Sequence, residues 1–118
     1  MREKNEISEI SFEFAVKIVD IYRYLCDDRK EFVLSKQLLK SGTSIGANVR
    51  EAIYAQSRND FISKMSISLK EASETGYWIA LLHRTGFLDE QQFLSINTDC
   101  SQIIRILTSI VNTSKDNR

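Results

Sequence analysis

Five side chains in this sequence are reactive enough to raise the question of catalysis: Glu71, Glu74, His83, Cys26 and Cys100. In a helical protein, paired glutamates and a histidine first suggest a di-metal carboxylate centre. Such a centre needs inward glutamates on two helices and a Glu-x-x-His pair on each of the other two. Here Ala80 stands three residues before His83, which is the single histidine of the chain. The nitrogen ligands for that centre are missing, and so is a Cys/His set for structural zinc. Cys26 and Cys100 fall on apolar stretches, where a thiol behaves as a small buried hydrophobe and stays reduced. The segment Gly42-Thr43-Ser44-Ile45-Gly46 has two close glycines but lacks the Lys-Ser/Thr ending of a phosphate-binding loop. No serine has the strand-turn-helix context of a nucleophile elbow. The expectation is a protein with no catalytic residue, no metal and no cofactor.

Cations offer a different chemistry. Lys36, Lys40 and Arg50, with Arg58 and Lys64 nearby, are candidate phosphate contacts for RNA or DNA. The chain carries 16 basic and 16 acidic residues, so its formal net charge is zero. Residues 36–70 hold six basic and two acidic side chains, a local +4, while residues 1–35 (six and eight) and 71–118 (four and six) are each −2. That polarity is modest beside the basic composition of nucleic-acid-binding domains. An ordinary solvated face, or one that meets acidic neighbours, accounts for it equally well.

The elements that would position these residues are all helical. At 118 residues with no proline, the chain is read as one domain spanning 1–118, built of long helices. Phe12, Ala15, Ile18, Val19, Tyr22, Leu25 and Cys26 recur at three- and four-residue steps and predict a first helix over about 11–27. A second, over about 34–55, puts Leu38, Gly42, Ile45, Val49 and Ala52 on its core face and Lys36, Lys40 and Arg50 opposite. Two internal glycines weaken a helix by roughly 1 kcal/mol each relative to alanine. Close approach of another helix backbone is the expected compensation. Beside the core face, Gln37, Ser41, Ser44 and Asn48 form a ridge, read as a hydrogen-bonded helix-packing seam. Ser57 and Asp60 suggest an acidic variant of the capping box at the start of a third helix, over about 58–85, with Gly86 as its left-handed end. Asp89 and Gln92 make a capping box for a fourth helix, over about 90–112, with Phe93, Ile96, Cys100, Ile103, Leu107 and Ile110 on its core face. Four amphipathic helices with short polar connections predict an all-α, antiparallel up-down-up-down bundle.

The third helix carries two stripes. Phe61, Ile62, Met65, Leu69, Ala72, Gly76, Ile79 and Ala80 form the expected core stripe, and roughly opposite lie Ile67, Glu71, Glu74, Trp78 and Leu81. A monomeric bundle has no use for Ile, Trp and Leu on its outside. Exposed apolar patches mark partner surfaces, and tryptophan is enriched at their centres. These five residues are read as an oligomer interface, with Glu71 and Glu74 bridging to the basic face of the second helix on a neighbour. The N-terminal segment MREKNEISEI lacks a signal peptide's apolar core, and no apolar run approaches the ~18 residues of a membrane span. The expected compartment is the cytoplasm, with no membrane partner.

Several of these stretches resemble a known family. Ser41-Gly42-Thr43-Ser44-Ile45-Gly46-Ala47-Asn48-Val49-Arg50-Glu51-Ala52, then Asp60-Phe61-Ile62, Lys64-Met65, Ile67, Leu69-Lys70-Glu71-Ala72, Glu74-Thr75, Tyr77-Trp78, Leu81-Leu82 and Gly86-Phe87-Leu88 resemble the small bacterial four helix bundle proteins. They are also called the 23S rRNA intervening-sequence protein family, and the similarity covers nearly the whole chain. It implies a left-handed four-helix bundle that assembles with itself, typically as a homopentameric ring. The family name reflects where some of the genes lie rather than an activity. A related branch, the accessory proteins of diversity-generating retroelements, binds a reverse transcriptase and nucleic acid. That branch looks strongly basic, and this neutral chain departs from it. Ala52 also stands where many relatives carry glycine. Two functions follow: a non-enzymatic oligomeric scaffold or adaptor for another protein, and, as the alternative, an RNA- or DNA-associated accessory protein working through the basic face of the second helix.

Overall fold

The computed structural model describes residues 2–117, with side chains from Glu6 onward. Four helices account for nearly all of it: α1 (Arg2–Asp27), α2 (Leu34–Ile53), α3 (Arg58–Arg84) and α4 (Glu90–Asp116). No strand occurs among the described residues. Each helix packs on its neighbours in sequence, α1 also packs on α4, and among the described residues the diagonal pairs bring no backbone segments close together. Contacts run in opposite directions along adjacent helices. Helix α1 meets α2 at the Ser11 backbone with Gly46 and at the Ile18 side chain with Gly42, and α2 meets α3 at Ser41 with Thr75 and at Ile45 with Ser68. The result is an antiparallel four-helix bundle, 47 Å long and about 20 Å across.

Local chemistry sets the helix ends. Ser57 accepts from the Asp60 amide at 3.1 Å to cap α3, although Asp60 does not return the bond. Asp89 and Gln92 make the full capping box at α4, at 2.7 and 2.9 Å. Gly86 lies at φ +87°, and the Phe87 amide reaches Leu82 O while the Gly86 amide reaches His83 O, a Schellman ending for α3. The cap of α2 does not come from the residue beside it. Glu31, in the loop before the helix, accepts from the amides of Val33, Leu34 and Ser35, and its carbonyl accepts from Ser35 Oγ. Lys30, at φ +56°, makes the turn that brings Glu31 there.

Three expectations about α1 and α3 change. Helix α1 starts at Arg2, nine residues ahead of the expected Ser11, because Ile7 and Ser11 continue its buried stripe toward the N-terminus. That stripe is Ile7, Ser11, Phe14, Ile18 and Leu25, so its phase differs from expectation by roughly a quarter turn. Phe12, expected inside, is 58% exposed. In α3 the buried residues are Ile62, Met65, Ser68, Ala72, Thr75, Ile79 and Leu82, while Leu69 is only half-buried and Ala80 is exposed. In α1 hydropathy offers two apolar sets, and the buried one runs through Ile7 and Phe14 rather than Phe12; in both helices the stripe is completed by buried serines and threonines that hydropathy does not flag, Ser11, Ser68 and Thr75. Their hydroxyls are all satisfied. Ser68 Oγ donates to Ile45 O at 2.8 Å, Thr75 Oγ1 lies 2.7 Å from Glu71 O and 3.0 Å from Ser41 Oγ, and no buried side-chain polar atom among the described residues lacks a partner.

The glycines of α2 do face a neighbouring helix, and it is α1. A Cβ on Gly42 would stand 2.8 Å from Ile18, and one on Gly46 would stand 3.3 Å from the carbonyl oxygen of Ser11. Two backbones this close gain dispersion contacts along their length, which offsets the helix penalty of glycine.

Candidate interaction surfaces

The phase of α3 decides where its second stripe points. Because Ser68 and Thr75 are buried against α2, the core stripe is rotated toward Ile67, Glu71, Glu74, Trp78 and Leu81. These five residues therefore lie about a third of a turn from the core, along the α2 side of α3, rather than opposite it. The ion pair between Lys64 Nζ and Glu51 on α2, at 3.1 Å, marks the same edge. Ile67 is 40% exposed, Glu74 is exposed, and Glu71, Trp78 and Leu81 are half-buried. Trp78 Nε1 donates to Glu74 Oε2 at 3.1 Å, and its ring meets Tyr77 edge-on at 5.1 Å. Tyr77 is itself 61% exposed. Among the described residues neither Glu71 nor Glu74 forms an ion pair. The flank is thus an apolar ridge whose tryptophan is hydrogen-bonded to Glu74, edged with two carboxylates that form no ion pair among the described residues.

The seam residues of α2 divide. Ser41 is buried and bonds across to Thr75, whereas Ser44 Oγ and Asn48 Nδ2 donate back to carbonyls four residues earlier in their own helix, and Gln37 is exposed. The inter-helix polar contacts that hydropathy leaves out are Ser68 with Ile45 O and Cys100 Sγ with Ala72 O, the latter at 3.4 Å.

The five candidate phosphate contacts divide as well. Lys64 is paired with Glu51, and an Arg58 guanidinium N–H donates to Asn117 O across the far end of the bundle. Lys36, Lys40 and Arg50 are exposed along the outside of α2, and none forms an ion pair among the described residues. Arg50 borders a shallow hollow of about 460 Å³ between α1 and α2. Ala15, Gly46 and Ala47 contribute small side chains to that hollow, and the exposed ring of Phe12 stands beside it. Val16, 43% exposed, continues the apolar surface along α1, and Glu9 and Glu13 border its outer ridge. Periodicity had placed Phe12 in the core; its actual position creates a second apolar surface that was not expected.

The reactive side chains sit apart. Burial, with the charge of Asp99 adding to it, pushes the Cys100 thiol up to about 11, and it serves as a donor to Ala72 O. Cys26 is half-buried rather than buried, at 3.7 Å from Ser35 Oγ, and both cysteines are unpaired. His83 stacks on Phe93 at 4.0 Å and pairs with Glu90 at 3.1 Å at the core edge. Among the described residues no group of three or more His, Cys, Asp or Glu is placed to hold a metal ion, and no helix is long and apolar enough to cross a membrane.

Comparison with known proteins adds a family. A family model described as 23S rRNA-intervening sequence protein matches residues 3–109. Among solved structures, a protein with unknown function of the S23 ribosomal protein family from Bacteroides thetaiotaomicron superposes with a TM-score of 0.92 at 54% identity, over 93% of this chain and 98% of that one. No curated protein matches the chain.

Proposed function

The chain belongs to the 23S rRNA-intervening sequence protein family, and on that premise we propose that it is a non-enzymatic helical scaffold or adaptor that works as a homo-oligomer. The observation that carries this reading is the α3 flank, where Ile67, Trp78 and Leu81 remain partly open to water beside the unneutralised Glu71 and Glu74. A half-buried tryptophan hydrogen-bonded to Glu74 presents a large apolar ring, the residue type that favours the centre of an interface. The resemblance to ring-forming relatives supports a homopentamer, which would present five copies of every outer surface to a protein partner and multiply a weak contact. Trp78→Glu is expected to reduce the solution mass to that of one chain while leaving helicity intact. An unchanged mass would remove the flank from the account.

Lys36, Lys40 and Arg50 favour a second reading, an accessory protein associated with RNA or DNA, because they are exposed on one face of α2 and form no ion pair among the described residues. The test is binding to a single-stranded RNA across a salt series. Affinity that falls steeply with salt and is lost in the triple glutamate variant of those residues supports it. Binding that ignores both salt and substitution counts against it.

A further inference from the structure

The oligomeric reading leaves the apolar patch on α1 unused. Phe12 and Val16 are both exposed, about one turn apart on the outward face of that helix. Two hollows adjoin the Phe12 ring, of about 460 and about 350 Å³, and Ser8, Phe12 and Arg50 line both. The larger is otherwise lined by small residues, Ala15 from α1 with Thr43, Gly46 and Ala47 from α2, and by Glu51. Glu9 and Glu13 line the smaller one, and neither forms an ion pair among the described residues. We infer that this trough between α1 and α2 is the docking site for an amphipathic helix of a different protein. The partner's apolar face would lie over Phe12 and Val16, with a row of lysines or arginines along the edge that meets Glu9 and Glu13. The inference rests on the adaptor part of the reading above and gives that partner its chemistry.

Three observations select this occupant. The described residues contain no strand, so there is no sheet edge to capture an extended peptide, and an apolar groove between two helices takes a helix. Small side chains at Ala15, Gly46 and Ala47 let the backbone of a third helix come close to the seam. Charge then sets the sign of the partner. The α1 edge carries Glu9 and Glu13, whereas Arg50 is the one cation lining either hollow and Glu51 is already paired with Lys64. A basic edge is therefore attracted along α1 and an acidic one repelled, while Arg50 across the trough favours an apolar or acidic side chain opposite it. The cations belong on one edge of the partner helix only. The Trp78 flank of a second copy does not meet this requirement, because Glu71 and Glu74 would bring like charge to Glu9 and Glu13.

A synthetic peptide tests the site: a fluorescent helix with leucines at three- and four-residue steps and lysines along one edge, titrated with the full chain. Saturable binding is expected, weakening as salt rises, with amide NMR shifts confined to α1 and α2 around Phe12. Phe12→Ser should weaken binding roughly tenfold or more, as for an aromatic at the centre of a contact. Glu9→Gln with Glu13→Gln should weaken it and flatten its salt dependence. All three side chains are exposed, so helicity should stay at the wild-type level in both variants. A peptide of the same composition in scrambled order, and one with glutamates for lysines, should not bind. No binding, equal binding of the scrambled peptide, or full affinity in Phe12→Ser overturns the inference. A fall in solution mass caused by Phe12→Ser also overturns it, since a second copy would then cover the trough. Trp78→Glu should bind the peptide as the wild type does. If that variant keeps the wild-type mass yet binds, the oligomeric reading falls and the trough stands; if its mass drops and no chain binds the peptide, the trough falls and the oligomeric reading stands.

Discussion

At the scale of single residues, Glu31 shows how much one side chain outside the helices can decide. Burial pushes its carboxyl up, but the amides of Leu34, Ser35 and Val33 together with the Ser35 hydroxyl hold it below its ordinary value of 4.5. A depressed carboxyl pKa stabilises the fold fully above the unfolded value, and that contribution is lost as pH falls through the lower folded value. Glu31→Ala should therefore cost about 1 kcal/mol at neutral pH, in the range of a lost helix cap. In denaturant titrations the gap between wild type and variant should hold down to roughly pH 5 and close below pH 4.5; a gap that widened in acid would contradict the cap. Cys100 makes a second residue-level prediction. With its thiol held up to about 11, alkylation at pH 8 should label Cys26 first and leave Cys100 unmodified until the protein unfolds. Equal labelling of both in the native state would show that the α3–α4 interior is open. Neither residue's role was legible from spacing. Glu31 belongs to no stripe, and its function depends on the left-handed turn at Lys30, whereas the Ser57 and Asp89 caps announced themselves because they adjoin the helices they serve.

At the scale of helices, the same substitution is expected to have opposite signs at two glycines. Replacing a helical glycine by alanine gains up to about 1 kcal/mol in propensity and reduced unfolded-state entropy. At Gly76 the new methyl would meet only Cys100 Sγ at 3.8 Å, an ordinary contact, so Gly76→Ala should raise the melting temperature. At Gly42 it would stand 2.8 Å from the fully buried Ile18, and forced overpacking costs about 1–3 kcal/mol. Gly42→Ala should therefore lower it, and matching shifts at both sites would show that α1 and α2 are not in close contact. The existence and order of all four helices could be read from the sequence, and α2 and α4 in correct phase. The phase of α3 could not, because Ser68 and Thr75 are buried by hydrogen bonds that replace water, and that of α1 lay between two apolar sets, of which Ile7 and Phe14 are buried with Ser11 and Phe12 is not. That error had consequences beyond the core. It put Phe12 inside, where it hid the α1 surface, and it put Trp78 opposite the core instead of at the edge of the α2 seam. The five residues read as an oligomer interface thus lie about a third of a turn from the core rather than opposite it.

At the scale of the molecule, the bundle has no reactive cluster among its described residues, and its distinctive features are surfaces. An apolar patch lies on either side of α2, edged by Glu71 and Glu74 on the α3 side and by Arg50 with Glu9, Glu13 and Glu51 on the α1 side. The account stands on self-association through Trp78, and the most direct test is the solution mass of the wild-type protein by light scattering after size exclusion, alongside Trp78→Glu. The account predicts several chain masses for the wild type, about five times 13.6 kDa for the proposed homopentamer, and 13.6 kDa for the variant. A wild-type mass of 13.6 kDa at micromolar concentration would contradict it and make both patches docking sites for other proteins.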